Sequence, residues 1–126
     1  MKNPKKKLQK VWKLSTADSK FSAFIRNRDK ECLRCSSKFY LQCSHFWSRN
    51  HFNTRFDPDN CITICYPCHY GSNKGWEYDQ AGEYRDFMIK RLGIKKFKQL
   101  ENKHKQFKTK RNAIIEFMEW LKRKTA

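Results

Sequence analysis

Two short cysteine pairs, Cys32-Leu-Arg-Cys35 and Cys65-Tyr-Pro-Cys68, decide the fold of this 126-residue chain. Each Cys-x-x-Cys pair forms a tight turn that directs two thiolates toward one point, and four thiolates complete the tetrahedral shell that zinc prefers. A closed shell of this kind makes the ion structural. We therefore expect a structural Zn²⁺ ion held by Cys32, Cys35, Cys65 and Cys68.

The six cysteines also allow disulfides, in 15 different pairings. We favour zinc because the N-terminus lacks the apolar stretch and the cleavage site of a signal peptide, and thiols stay reduced inside cells. The same observation predicts a soluble, intracellular protein. Cys43 and Cys61 lie outside the two pairs, and we expect them either to be small buried residues of strands or to replace one of the zinc ligands.

The composition indicates one small domain whose partner is a polyanion. There are 29 Lys and Arg against 12 Asp and Glu, a net charge of +17, and aromatic residues make up 15% of the chain, enough to anchor a core. No apolar run reaches the roughly 20 residues that span a bilayer. Basic residues mixed with Trp, Phe and Tyr favour nucleic acid over a lipid surface, so we expect no membrane partner.

The charge is concentrated at the two ends of the chain. Residues 1–30 carry ten basic and two acidic side chains, residues 31–82 carry five of each, and residues 83–126 carry fourteen and five. The neutral middle holds all six cysteines and three of the four histidines. We therefore expect a chemically active centre between two basic arms that bind phosphates.

The apolar spacing predicts an α+β fold. Ser15 and Asp18 form a capping-box pattern at the start of a helix that ends near Arg28. Residues 38–46 and 61–64 are typical of two strands, and the turn-rich stretch between them predicts a hairpin with a long loop.

Three more helices are predicted after the strands: one that ends at Gly93, one that begins near Ile94 and one over residues 109–122. We divide the chain into three parts. They are a basic tail or helix over residues 1–14, a zinc-containing domain over residues 15–105 and a basic amphipathic helix over residues 106–126.

The residues around the cysteine pairs carry a further pattern: Cys43-Ser-His-Phe-Trp-Ser-Arg49, then Thr54-Arg-Phe-Asp-Pro-Asp-Asn60-Cys, then Cys68-His69 with Asn73-Lys74. This order resembles the His-Asn-His (HNH) nucleases of the ββα-metal fold. It is most similar to the phage NinG/Rap recombination nucleases, as is the upstream run Phe21-Ser-Ala-Phe-Ile-Arg-Asn-Arg-Asp29. The likeness covers about residues 16–104 and implies a small zinc-stabilised ββα-metal core flanked by N- and C-terminal helices.

The resemblance implies roles that the chemistry of phosphodiester cleavage explains. Cleavage needs a base to activate water, a cation to neutralise charge building on the phosphate, and fixed geometry. His45 is implied to be the general base, since a neutral imidazole can take the proton of water, and Asn60 to brace the loop that carries it. Arg49 is implied in catalysis and, together with Arg55 and Lys74, in binding DNA phosphates.

A catalytic divalent ion, Mg²⁺ or Mn²⁺, is implied at His69. Many His-Asn-His nucleases place an Asp or His ligand directly before the general base, whereas Ser44 stands there in this chain. The second ligand must therefore come from elsewhere. Asn73, His51 and Gln42 have suitable chemistry and spacing does not choose among them; our assignment takes Asn73.

The resemblance also implies a substrate and a location. Branched DNA, such as junctions, flaps or D-loops in phage recombination, has duplex on either side of the cut and suits two basic arms. A phage source implies the cytoplasm of the bacterial host. The sequence does not decide whether the chain forms a homodimer. A dimer would suit a two-fold junction, because paired cuts need two active sites. The alternative functions are a non-catalytic zinc-ribbon module that binds nucleic acid, and a protein-interaction role for the C-terminal helix.

Overall fold

The computed structural model describes residues 12–125, which form an α+β fold of helices around a small two-stranded sheet. The greater part of the predicted basic tail lies outside the described residues. In chain order the elements are α1 (Leu14–Asp29), β1 (Leu41–His45), α2 (Phe52–Arg55), β2 (Cys61–Cys65), α3 (Tyr66–Tyr70), α4 (Ala81–Leu92), α5 (Ile94–His104) and α6 (Lys110–Thr125), with a 3-10 turn at Pro58–Asn60.

Helix α1 is confirmed, but its predicted capping box is wrong. The helix begins at Leu14, so Lys13 occupies the N-cap position, and no side chain caps the helix there. Asp18 instead accepts two hydrogen bonds from the Arg55 guanidinium, at 2.9 and 2.6 Å. The Asp18 carboxylate is thus held in a bidentate ion pair with the buried Arg55.

The predicted hairpin is confirmed as an antiparallel pair in which His45 faces Cys61 and Cys43 faces Thr63. The first strand begins at Leu41 rather than at residue 38, because Tyr40 adopts a left-handed backbone conformation with φ 57°. Alternate residues of a strand point to opposite faces. The two faces of this sheet therefore carry different side chains.

The sheet lies between two hydrophobic cores. One core contains buried residues of β2 and of the helices α4 and α5, and the other contains buried residues of α1 and α6. The first includes Ile62, Ile64, Trp76, Tyr84, Met88 and Phe97. The second includes Ala17, Phe21, Ile25, Cys61, Ile114, Phe117 and Met118. All five residues of β2 are buried, so the second strand is the centre of the fold.

The end of α1 is fastened to β2 by polar contacts. The Arg28 guanidinium donates to the carbonyls of Pro58 and Cys61, both at 2.8 Å. The neighbouring Asp29 carboxylate accepts from the backbone N–H of Thr63 at 2.8 Å. These contacts fix α1 against the strand that carries the second cysteine pair.

The three C-terminal helices are confirmed. Gly93 separates α4 from α5 with φ 83°, a conformation that favours glycine. Helix α6 extends to Thr125, three residues beyond the prediction, and its Phe117 packs on Phe21 and Phe56 with ring centroids 5.4 and 5.0 Å apart. Among the described helices, none is long and apolar enough to cross a membrane.

Candidate metal centre and active site

The two cysteine pairs meet as the sequence predicts. The sulfur atoms of Cys32, Cys35, Cys65 and Cys68 all lie within 4.8 Å of one another. The Sγ atoms of Cys35 and Cys65 are 3.6 Å apart, close to the roughly 3.8 Å edge of a tetrahedron with zinc–sulfur bonds of about 2.3 Å. All six cysteines of the chain are free thiols. The cluster can therefore hold a zinc ion.

The first cysteine turn has the backbone geometry of a metal knuckle. The N–H of Cys35 donates to the Sγ of Cys32 at 3.4 Å, which stabilises a thiolate. The Arg34 side chain then joins the two turns, because it donates to the carbonyls of Cys68 and Lys74 and lies 4.8 Å from the centre of the Trp76 ring.

The thiols of this cluster differ in their readiness to ionise. Burial acts to raise the pKa of Cys32, but hydrogen bonds from backbone N–H groups outweigh it and lower the pKa to about 7. Burial raises the pKa of Cys65 and, together with neighbouring thiols, that of Cys68. Four thiolates this close repel one another until a cation arrives, so metal binding and proton release are coupled.

A second centre of polar side chains lies in an open cavity of about 440 Å³. Residues from α1, from the end of β1, from α3 and from the segment after α3 line it. The titratable members are Asp18, Cys43, His45, Arg49, His69, Tyr70, Glu77 and Tyr78. The structure therefore places His45, Arg49 and His69 around one cavity.

His45 stands at the end of β1 with one ring nitrogen already bonded. Its Nε2 lies 2.9 Å from the carbonyl oxygen of Arg55. Because a carbonyl only accepts, Nε2 carries the proton, and Nδ1 keeps a lone pair. Burial, reinforced by the charges of Arg49 and Arg55, lowers the pKa of His45 to about 4. The ring is therefore neutral at pH 7 and able to accept a proton through Nδ1.

Asn60 braces the loop that follows His45. The side chain is fully buried, and its Oδ1 accepts from the N–H of Trp47 at 2.8 Å. Its Nδ2 donates to the carbonyls of Trp47 and Thr54, at 2.9 and 3.2 Å. These contacts have the bracing geometry that the sequence resemblance implies for Asn60.

His69 faces a carboxylate that sequence reasoning missed. Its Nδ1 donates to Gln42 Oε1 at 2.8 Å, which leaves the lone pair on Nε2. Nε2 lies 3.3 Å from Glu77 Oε2. Burial lowers the pKa of His69 in spite of the Glu77 charge. Two lone pairs at this distance repel unless a cation lies between them, so His69 and Glu77 form a candidate pair of metal ligands.

The other residues considered as a second ligand have different positions and contacts. Gln42 holds His69 in its tautomer. The exposed His51 packs its ring on His104, with centroids 4.8 Å apart. Asn73 lies in an exposed turn with φ 63°, where its backbone N–H donates to Asp79. None of these three is among the residues that line the cavity.

Ser44 has a structural role that explains its presence before His45. It is fully buried, and its hydroxyl lies 2.8 Å from the hydroxyl of Tyr84. Alternation along β1 points Ser44 toward the α4 core and His45 toward the opposite face. A ligand at position 44 would therefore face the core, so the metal ligand must come from another segment.

The three predicted phosphate ligands differ in exposure. Arg49 is exposed and lines the cavity. Arg55 is buried, and its guanidinium donates to Asp18 and to the carbonyl of Arg49. Its hydrogen bonds are therefore made inside the protein rather than to DNA. Lys74 is exposed but lies outside the residues that line the cavity.

A glycine brings Glu77 to His69. A Cβ atom at Gly75 would lie 2.7 Å from the carbonyl oxygen of His69, so only glycine lets the chain pass there. Just beyond it, the N–H groups of Trp76 and Glu77 donate to the carbonyls of Cys68 and His69. The signal in the sequence was the pair Gly71 and Gly75, the second of which stands two residues before Glu77.

Comparison with known protein families identifies a match over the whole chain. The family described as NinG, bacteriophage lambda NinG protein, matches residues 1–126, the whole length of the chain. The matched region includes the cysteine cluster and the cavity. The curated proteins and the solved structures compared with the chain give no match.

Proposed function

The chain belongs to the bacteriophage lambda NinG family, and we propose that it is a metal-dependent endonuclease of the HNH type that cuts branched DNA during phage recombination. The observation that carries the proposal is the meeting of a neutral histidine, an exposed arginine and a histidine–carboxylate pair in one open cavity. The ββα-metal core would comprise β1, β2 and α3, with α2 and the 3-10 turn in the connection between the two strands.

In this proposal His45 is the general base. A base must be unprotonated at the working pH and must reach the water that it activates. Burial keeps the pKa of His45 at about 4. Because Nε2 is bonded to the Arg55 carbonyl, Nδ1 is the nitrogen that can accept the proton of the water. Asn60 serves this step indirectly, because it fixes the loop that holds Trp47 and thereby the end of β1.

His69 and Glu77 would hold the catalytic ion. The carboxylate oxygen of Glu77 is a ligand that Mg²⁺ and Mn²⁺ prefer, and His69 would add one imidazole nitrogen; water and phosphate oxygens would fill the remaining positions. Such an ion neutralises charge on the phosphate and the leaving oxygen. Gln42 fixes the His69 ring so that Nε2 faces Glu77. Asn73, our assignment from the sequence, is the less favoured ligand because it lies outside the cavity lining.

DNA would approach the cavity along its exposed rim. Arg49 supplies a positive charge there, and Tyr70 and Tyr78 are 41% and 78% exposed with ring centroids 6.1 Å apart. Aromatic rings stack on unpaired bases regardless of sequence. A branch point offers such bases, whereas plain duplex does not. The net charge of +17 supplies the sequence-independent attraction to phosphate.

The test is cleavage of labelled four-way, flap and plain duplex DNA by the zinc-loaded chain with Mg²⁺, with Mn²⁺ and without a divalent ion. Two variants accompany the wild type: His45→Ala and, as a matched control, His51→Ala, which removes an exposed histidine outside the cavity. We expect ion-dependent cutting of branched DNA by the wild type and by His51→Ala only. Tight binding without cutting under every condition would instead support the zinc-ribbon binding module.

A further inference from the structure

A second group of metal-binding atoms lies beside the proposed general base. One ring nitrogen of His45 and the sulfur atoms of Cys43 and Cys61 all lie within 4.8 Å of one another. This group shares no residue with the four-cysteine cluster. Neither the zinc site nor the His69–Glu77 pair uses either of its cysteines.

The sheet register explains why these three side chains meet. Cys43 and His45 are two residues apart on β1, so they point to the same face. Cys61 is the direct partner of His45 across the hairpin. The same face packs on α1, where the Phe21 ring lies 5.8 Å from the His45 ring. The backbone therefore fixes the cluster before any ion binds.

The donor set and its access both suit a soft metal ion. Two sulfurs and one imidazole nitrogen make a Cys₂His set, which binds zinc and leaves a fourth position open. Cys61 is fully buried, whereas Cys43 and His45 line the open cavity. An ion can thus enter from the cavity side. Mg²⁺ prefers oxygen ligands and does not compete for thiolates.

Binding at this cluster would exclude general-base catalysis. The Nε2 atom of His45 is bonded to the Arg55 carbonyl, so Nδ1 is the nitrogen with a free lone pair. A metal ion and the water's proton need that same lone pair. Occupation of the cluster and deprotonation of water by His45 are therefore mutually exclusive.

We propose that Cys43, His45 and Cys61 form an inhibitory site for a thiophilic divalent ion such as Zn²⁺, distinct from the structural zinc cluster. Binding at the site is independent of any catalytic activity. Its inhibitory effect rests on the proposed nuclease function, in which His45 is the base. Zinc would thus have two opposite effects on this chain, one that stabilises the fold and one that blocks the cavity.

The first measurement counts metal ions without using activity. Co²⁺ is titrated into the chain that already holds one zinc, with release of that zinc monitored. We expect thiolate-to-cobalt charge-transfer absorption from a second bound ion in the wild type and its loss in Cys43→Ser. Glu77→Gln is the matched control, because an ion bound by His69 and Glu77 contacts no sulfur. A wild type without the thiolate absorption, or a second ion lost in Glu77→Gln and kept in Cys43→Ser, overturns the proposal.

The second measurement follows cleavage of branched DNA in Mg²⁺ while free Zn²⁺ is raised. Cys43→Ser should need about tenfold more zinc, or more, for half inhibition, since even loss of an outer partner of a metal ligand costs about that much affinity. Equal inhibition of both chains would contradict the inhibitory role. If neither chain cuts DNA in Mg²⁺ alone, the proposed nuclease function fails, while the cobalt titration still decides whether the site exists.

Discussion

The cysteine cluster and the cavity around His45 differ in how they are closed. The cluster consists of four sulfurs within 4.8 Å of one another, and together they complete a tetrahedral shell with no open position. The cavity mixes nitrogen, oxygen and sulfur donors from separate segments and opens to solvent. The closed cluster thus joins β2, which pairs with the strand of His45, and α3, which carries His69, whereas the open cavity leaves its donors accessible from solvent.

The largest expected effect comes from opening the closed site. Cys65→Ser removes a thiolate at the junction of β2 and α3, and zinc affinity couples directly to folding in domains of this size. We expect a loss of more than about 5 kcal/mol in the free energy of unfolding, seen as loss of cooperative thermal unfolding by circular dichroism. Cys43→Ser, outside the cluster, should keep a cooperative transition. A cooperative Cys65→Ser chain would show that the cluster is not the main source of stability.

The next largest effect is expected in how the free energy of unfolding changes with pH, through the titration of His45. The pKa of His45 is about 4 in the folded chain, compared with an ordinary value of 6.5. Between pH 6.5 and pH 4 the unfolded chain therefore binds a proton at His45 that the folded chain does not bind. Stability is therefore lost as the pH falls from 6.5 to 4, by about 3 kcal/mol at the lower end. His45→Gln lacks this titration. We expect its free energy of unfolding, measured in urea at several pH values, to fall less steeply than that of the wild type and of His51→Ala. Parallel curves would contradict the burial of a neutral ring.

A smaller effect is expected at the ligand that the sequence did not reveal. Glu77→Gln removes the charge facing His69 Nε2 and should weaken the apparent affinity for Mg²⁺ in DNA cleavage by about 10- to 100-fold. Glu119→Gln, which changes an exposed carboxylate on α6, is the control. The measurement is the cleavage rate as a function of Mg²⁺ concentration. Equal Mg²⁺ dependence of the two variants would remove Glu77 from the proposed site.

The smallest effect is expected at the rim of the cavity. Tyr78→Ala removes a ring that is 78% exposed, and we expect it to weaken binding of branched DNA by about 1 kcal/mol, the lower end for one stacked base. Binding of plain duplex should not change. Phe107→Ala removes an 88% exposed ring outside the cavity lining and serves as control. Equal losses for branched and duplex DNA would show that Tyr78 does not contact unpaired bases.

The four-cysteine site was predictable because each half of it is formed by residues that lie close together in the sequence. Each Cys-x-x-Cys turn spans four residues, and the hairpin and helices follow from apolar spacing. The open site depends on long-range contacts that spacing does not encode. Glu77 reaches His69 only because Gly75 lets the chain pass its carbonyl, and Arg55 is withdrawn from solvent by Asp18, 37 positions earlier in the chain. The capping box at Ser15 failed because the helix already begins at Leu14, which places Ser15 inside the first turn.

The central claim is that His45 is a neutral general base in a DNA-cutting cavity. The most direct measurement compares single-turnover cleavage of a four-way junction with the dissociation constant for that junction, in wild type, His45→Ala and His51→Ala. We predict that His45→Ala slows cleavage by about 10²- to 10⁴-fold, while its affinity for the junction and its zinc content match those of the other two chains. Cleavage by His45→Ala at the rate of His51→Ala would contradict the claim.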